Sequence, residues 1–213
     1  MKKITLAMML LFAMFIFTAC SSPAPAAEET ETDISSDAQT DTETPAEPVA
    51  DYTAVIEIAD YGTITVALDG TAAPISVQNF VDLAKDGFYD GLTFHRVAPS
   101  FVIQGGDPAG NGTGGSPNTI KGEFSSNGVE NNLSHTRGAL SMARSGNPDS
   151  ASSQFFIVHQ DSDFLDGNYA VFGYVTEGME VVDAICVAMT ALGYEEAVAA
   201  EDQPVITSIR IVE

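Results

Sequence analysis

The stretch FHRVAPSFVIQGGD, residues 94–107, holds one arginine, Arg96, inside a run that is otherwise typical of buried β-strand. Its apolar neighbours are Phe94, Val97, Phe101, Val102 and Ile103. A charge among apolar side chains is costly unless it has a partner or a function. Cations are also scarce, because the chain has 8 Lys and Arg against 30 Asp and Glu. Arg96 is therefore a candidate functional residue.

Short apolar segments on both sides of this stretch predict a mainly β domain. The pattern predicts eight strands, in TAVIEIA, GTITVAL, LTFHRV, FVIQGG, GALSMA, SQFFIVH, AVFGYVT and PVITSIRIV. Two further segments have helical spacing. One begins near Pro74 and ends at Gly87, and the other is GMEVVDAICVAM. Many short strands with loop-rich connections favour a closed barrel over an open sheet.

The first fifty residues differ in composition from the rest. Lys2 and Lys3 precede the apolar run ITLAMMLLFAMFIFTA, which is short for a membrane span and typical of an export signal. The run ends at FTAC, which resembles a bacterial lipoprotein signal with Cys20 as the lipidated residue. The alternatives are an ordinary signal peptide and an uncleaved anchor. Residues 21–50 carry eight acidic and no basic residues, which predicts a disordered linker.

We therefore expect a signal in residues 1–20, a linker in 21–50 and a globular domain in 51–213. The expected location is the cell envelope, outside the cytoplasm, with the membrane reached through a lipid on Cys20.

Charge and spacing exclude several functions for residues 51–213. This segment carries 22 acidic and six basic residues, which argues against nucleic acid or anionic lipid as a partner. Its Cys and His residues lack metal-site spacing, and no P-loop lysine follows the glycines of GGDPAGNGTGG, so we expect no metal and no cofactor. Ser153, His159 and Asp161 lie too close together along the chain for a catalytic triad.

Three longer segments together resemble the cyclophilin family of peptidyl-prolyl cis–trans isomerases. They are FHRVAPSFVIQGGDPAGNGTGG (94–115), GALSMARSGNPDSASSQFFIVH (138–159) and FLDGNYAVFGYVTEGMEVVDAI (164–185). The likeness extends from about Tyr52 to Glu213. It implies a closed, eight-stranded antiparallel β-barrel capped by two α-helices, with the active groove on its outer face. It also implies a monomeric isomerase acting on proline-containing polypeptides, here during the folding of exported proteins.

The resemblance assigns roles to residues of this chain. Arg96 matches the family's catalytic arginine, and Gln104 and Phe101 complete the catalytic set. The positions that match substrate-binding residues are Val102, Ala143, Arg144, Gln154, Phe156, Phe164, Leu165 and Tyr169. Phe164 stands where many relatives have Trp, and Tyr169 where many have His. The resemblance therefore implies weak binding of the inhibitor cyclosporin.

Strand periodicity and chemistry also select Arg96. Alternate side chains share a face of a strand, which predicts that Phe94 and Arg96 share one face and that His95 turns inward as a hydrogen-bonded core residue. A fixed guanidinium can donate a hydrogen bond to a prolyl nitrogen, whose lone pair emerges only in the twisted amide. Two alternatives stay open: a structural, salt-bridged Arg96, and a binding module that grips proline-containing segments as a chaperone or scaffold.

Overall fold

The computed structural model describes residues 52–212, which form one antiparallel sheet and two helices. The strands are β1 (Tyr52–Ile58), β2 (Gly62–Leu68), β3 (Arg96–Ala98), β4 (Val102–Gly105), β5 (Ala139–Met142), β6 (Phe155–Val158), β7 (Val171–Glu177) and β8 (Ile206–Val212). The helices are α1 (Pro74–Lys85) and α2 (Met179–Ala191). Every one of these elements overlaps a segment in which the sequence predicts it. The predicted signal and linker, including Cys20, lie outside the described residues.

The eight strands curl into a half-barrel in the order β3-β4-β6-β5-β7-β2-β1-β8. The edge strands β3 and β8 do not pair along their length. Instead, the residues just before them meet at an isolated bridge between Thr93 and Val205, next to a 2.7 Å hydrogen bond from Ile206 N to Leu92 O. The mainly β, helix-capped fold is confirmed, whereas the predicted closure of the barrel appears only as this local contact. Within residues 52–212, no helix has the length and apolar character needed to cross a membrane.

Strand β6 separates two apolar clusters, and this separation positions the site. Its Phe155 points into the main core, where the ring contacts Phe80 of α1 at 5.5 Å and Phe94 at 6.0 Å between centroids. The next residue, Phe156, points to the opposite face and packs in a second, smaller cluster with Val102 of β4. This period-two alternation provides an apolar surface outside the main core.

The prediction that Phe94 and Arg96 share one face of a strand is wrong. Phe94 is fully buried in the main core, whereas Arg96 lies on the outer face. The strand ladder begins only at Arg96, so period-two alternation does not extend back to Phe94. Two bonds outside the ladder hold the preceding residues: Phe94 N donates to Pro204 O at 2.9 Å, and His95 O accepts from Val198 N at 3.0 Å. His95 is buried as predicted, but its Nδ1 has no hydrogen-bond partner among the described residues.

Candidate active site

A pocket of about 220 Å³ lies on the outer face of β3, β4 and β6, and we call it the outer pocket. Nine residues selected from the sequence line it: Arg96, Phe101, Val102, Gln104, Ala143, Arg144, Phe156, Leu165 and Tyr169. Gln154 lines an adjoining polar pocket instead. Phe164 lies outside the lining, 73% exposed, and stacks on Phe101 with ring centroids 5.6 Å apart. The structure thus brings the selected set together around one site.

Strand register places three of these side chains side by side. Arg96 pairs with Gln104 across β3 and β4, and Gln104 pairs with Phe156 across β4 and β6. Directly opposed residues of antiparallel strands project from the same face of a sheet. The register between β3 and β4 is set by a tight turn, in which Phe101 N donates to Ala98 O at 3.0 Å. This short hairpin therefore fixes Arg96 beside Gln104.

A run of side-chain amide hydrogen bonds extends from Arg96. Arg96 Nη1 donates to Gln104 Oε1 at 3.4 Å, a long bond. Gln104 Nε2 donates to Gln154 Oε1 at 2.9 Å, and Gln154 Nε2 donates to Gly114 O at 2.7 Å. Because each amide accepts on one side and donates on the other, the orientation of both glutamines is fixed. This amide run orients Arg96 without adding a charge to the site.

A buried carboxylate, Asp107, shapes the loop on which the amide run ends. It accepts hydrogen bonds from the backbone N–H groups of Ala109 at 2.8 Å, Asn111 at 3.1 Å and Gly112 at 2.6 Å. Burial by itself would raise the pKa of Asp107, but these backbone donors outweigh it and hold the pKa below its usual value. Asp107 is therefore charged at neutral pH and fixes the loop that leads to Gly114.

The Arg96 guanidinium has two further neighbours. Its Cζ lies 5.4 Å from the centroid of the Phe101 ring, at cation–π distance. Its Nη2 forms a 3.3 Å ion pair with Glu196 Oε1. Glu196 follows α2 and is a hundred residues from Arg96, so sequence reasoning missed it, and no motif in that segment signals it.

His135 lies behind the outer pocket and is the second functional candidate that sequence reasoning missed. Its fully buried ring stacks on Phe156, with centroids 5.9 Å apart. Its Nδ1 lies 2.7 Å from Asp166 Oδ1 and its Nε2 lies 3.0 Å from Ser141 Oγ. Burial lowers the pKa of His135, although Asp166 acts in the opposite direction. The neutral ring therefore donates to Asp166 and accepts from Ser141, which fixes the wall behind Phe156.

The residues after β5 offer a backbone edge beside the pocket. Ala143 N donates to Gln154 O at 2.9 Å, which ties this edge to the segment before β6. The Arg144 side chain turns aside: its Nη2 donates to Asn168 O at 2.7 Å, and its Cζ lies 4.6 Å from the Tyr169 ring centroid. Within the described part of the chain, the backbone N–H and C=O of Arg144 make no hydrogen bond. They are therefore available to an extended peptide.

Residues 53–212 match a family model described as cyclophilin type peptidyl-prolyl cis-trans isomerase/CLD. Peptidyl-prolyl cis-trans isomerase B of Bacillus subtilis is 52% identical over 123 residues, which are 58% of this chain and 82% of that protein. Peptidyl-prolyl cis-trans isomerase A of Dickeya dadantii is 43% identical over 152 residues, which are 68% of this chain and 77% of that protein. The sequence relatives thus belong to the same family from whose motifs the pocket residues were selected.

A solved structure shares the fold. It is the crystal structure of a cyclophilin type peptidyl-prolyl cis-trans isomerase of Cryptosporidium parvum, determined in the presence of the dipeptide Ala-Pro. Its TM-score is 0.65 at 28% sequence identity, and the match covers 76% of this chain and 99% of that one. The chain therefore belongs to the cyclophilin-type peptidyl-prolyl cis–trans isomerases, and its activity is the isomerisation of X–Pro peptide bonds.

Proposed function

We propose that Arg96 catalyses this isomerisation by donating a hydrogen bond to the prolyl nitrogen of the twisted peptide bond. One observation carries the proposal: a guanidinium, oriented by Gln104, lies in the same pocket as the apolar rings of Phe101 and Phe156. A proline ring held by those side chains would bring its amide to Arg96. The Arg96 side chain, although paired with Glu196, is still 28% exposed and can be reached by an incoming substrate.

The reaction requires little chemistry beyond this. Amide resonance sets a barrier of about 18–20 kcal/mol, and no covalent bond is broken. In the planar amide the nitrogen lone pair is delocalised, so a donor aimed at the nitrogen stabilises the twisted state selectively. A thousandfold acceleration requires a barrier lower by about 4 kcal/mol. Loss of one preorganised donor in an active site typically raises a barrier by roughly 2.7–4 kcal/mol, so one arginine can supply most of the effect.

The rest of the lining suits a proline-containing polypeptide as substrate. We assign the proline ring to the surface made by Val102, Phe156, Leu165 and Tyr169, together with Phe101. The unpaired backbone groups of Arg144 would then bind the substrate main chain as an added strand. The Ala-Pro dipeptide present with the Cryptosporidium parvum relative supports this substrate class.

A direct measurement of exchange tests the activity and its substrate. The full chain in mild detergent should accelerate cis–trans exchange of a short Ala-Pro peptide, seen by NMR as line broadening or magnetisation transfer. Added EDTA should leave the rate unchanged, because the proposed mechanism uses only protein groups. Exchange no faster than in buffer, or exchange abolished by EDTA, would contradict the proposal.

We further propose that the enzyme is an exported, lipid-anchored monomer that acts on exported proteins as they fold. The proposal rests on the sequence: basic Lys2 and Lys3, the apolar run that ends at Cys20, and the acidic, proline-containing residues 21–50. An extended linker of this length would hold the domain away from the membrane surface.

Fractionation of cells tests the anchor. The wild-type protein should be found with membranes and be released by detergent, whereas Cys20→Ser should be released without detergent or stay unprocessed. Cys186→Ser is the matched control, because Cys186 is buried in the domain and should not affect fractionation. Identical fractionation and processing of the wild type and Cys20→Ser would exclude lipidation at this residue.

A further inference from the structure

A second cavity, of about 470 Å³, adjoins the outer pocket and shares Arg96 and Gln104 with it. The rest of its lining comes from His95, from the loop at 109–112 and from the segment at 196–203 after α2. A peptide whose prolyl amide lies at Arg96 has a flanking residue close to this opening, because successive residues of an extended chain are only about 3.3 Å apart. The cavity is therefore placed to receive a side chain of the substrate.

Glu196 supplies a carboxylate to this cavity. Its Oε1 accepts from Arg96 Nη2 at 3.3 Å, and in residues 52–212 its Oε2 accepts no hydrogen bond. The side chain is 65% exposed, whereas that of Arg96 is 28% exposed, so the carboxylate is the more accessible of the two charges. A second cation can thus approach Glu196 while the ion pair with Arg96 stays in place.

The backbone that carries Glu196 is fixed to β3. Val97 N donates to Glu196 O at 2.8 Å, and Val198 N donates to His95 O at 3.0 Å. Between these bonds, Ala197 forms an isolated β-bridge with Arg96. The backbone position of Glu196 relative to Arg96 is therefore set by strand pairing and not by a free loop.

The remaining lining is neutral and suits the stem of a long basic side chain. Ala109 and Ala197 provide apolar surface, and Gln203 is occupied with Gly110 O and Val198 O, each at 2.9 Å from its Nε2. Lys and Arg side chains typically lay their methylene stems on such surface and keep the charged group near water. The net charge of −16 of residues 51–213 adds a long-range attraction for cations.

We propose that this cavity is a subsite for a lysine or arginine side chain that flanks the prolyl bond of the substrate, with Glu196 as the specificity-determining residue. The inference rests on the proposed function, because the cavity adjoins the substrate only if the prolyl amide lies at Arg96. It adds a substrate class: proline segments that carry a nearby positive charge.

Matched peptides test the subsite on the full chain in detergent. Each has a central Ala-Pro in an alanine and glycine background, with Lys, Gln or Glu placed in turn at the two positions on either side of the pair. At one of these positions we expect kcat/KM to be about two- to fivefold higher for Lys than for Gln, the size typical of an exposed ion pair. The preference should decline in roughly 0.5 M NaCl, where charges are screened.

Three variants connect the preference to one carboxylate. Glu196→Gln should bring the Lys/Gln ratio to about one, and Glu196→Lys should reverse it in favour of the Glu peptide. Glu195→Gln is the matched control, since Glu195 is also exposed but does not line the cavity, and it should keep the wild-type ratio. A wild-type ratio near one at every position, or a ratio that Glu196→Gln leaves unchanged, would overturn the assignment.

Affinity provides an independent readout. Dissociation constants from NMR titration should show the same ranking of Lys, Gln and Glu peptides, and the same loss of ranking in Glu196→Gln. If no peptide is isomerised by the wild type, the proposed function fails, and these affinities alone decide whether the subsite exists.

Discussion

Replacing Arg96 by alanine distinguishes an isomerase from a protein that only holds proline segments. If the guanidinium acts on the twisted amide, Arg96→Ala should lower kcat by about 10²–10³, which corresponds to the roughly 3–4 kcal/mol attributed to a preorganised donor. Binding of a ground-state peptide should change far less, because the planar prolyl nitrogen has no free lone pair to accept the bond. We expect the loss of kcat to stay within this roughly 10²–10³ range, because Arg96 is 28% exposed and water can partly replace the donor.

The fold should tolerate this change. Arg96 lies on the outer face, where its partners are the 65% exposed Glu196 and a long 3.4 Å bond to Gln104. An exposed ion pair contributes about 0–1 kcal/mol to stability, which for a domain of this size shifts Tm by no more than a few degrees. A melting curve on each variant therefore separates loss of catalysis from loss of structure.

The assay combines exchange NMR for kcat with titration of the same peptide for affinity. Arg96→Lys should also be poor, because an ammonium on a flexible stem does not reproduce the planar fork of donors. Arg210→Ala is the matched control: it removes an arginine that pairs with Asp90 at 2.8 Å on β8, away from the pocket, and should keep the wild-type kcat. Near wild-type turnover in Arg96→Ala, or equal losses of rate and affinity, would refute the mechanism and favour the binding module.

Three further measurements address the pocket and the buried histidines. Phe156→Ala should lose peptide affinity as well as rate and lower the unfolding free energy by about 3–5 kcal/mol, because it empties a buried contact; unchanged affinity would place the proline ring elsewhere. Phe164→Trp should tighten cyclosporin binding, which we predict to be weak in the wild type, with little change in kcat; equal affinities would show that the indole is not what the groove lacks. Burial lowers the pKa of both His95 and His135, so the unfolded chain binds more protons than the native protein at mildly acidic pH. The free energy of unfolding should therefore have its full value above about pH 6.5 and fall as the pH drops from there through the native pKa values. Melting curves across pH should show a smaller decline in His135→Gln, and a profile that is flat between pH 5 and 7 would contradict this.

Much of the fold could be predicted from local pattern. Alternating apolar residues located the strands, and helical spacing from Pro74 onward located α1. The failures were non-local. Strand alternation predicts one face for Phe94 and Arg96, because the sequence does not show that the ladder starts at Arg96. How far the sheet edges meet depends on Thr93 and Val205, which lie more than a hundred residues apart.

The site was predictable for a different reason. Its residues fall in motifs that resemble one family, and the structure gathers Arg96, Phe101, Gln104 and Phe156 in one pocket, although their catalytic roles stay predictions. Glu196 had no motif to signal it, since its importance arises only when the segment after α2 lies along β3. Side chains supplied by distant, motif-poor segments are those that require a structure.

The segment at 196–198 has a consequence for an enzyme that acts on peptide bonds of other polypeptides. β3 is an edge strand beside the groove, and an open edge pairs readily with any extended polypeptide. The hydrogen bonds from Val97 N to Glu196 O and from Val198 N to His95 O occupy that edge with the protein's own backbone. An extended polypeptide therefore cannot pair with this stretch of β3, and the edge beside the groove is closed to strand-by-strand aggregation.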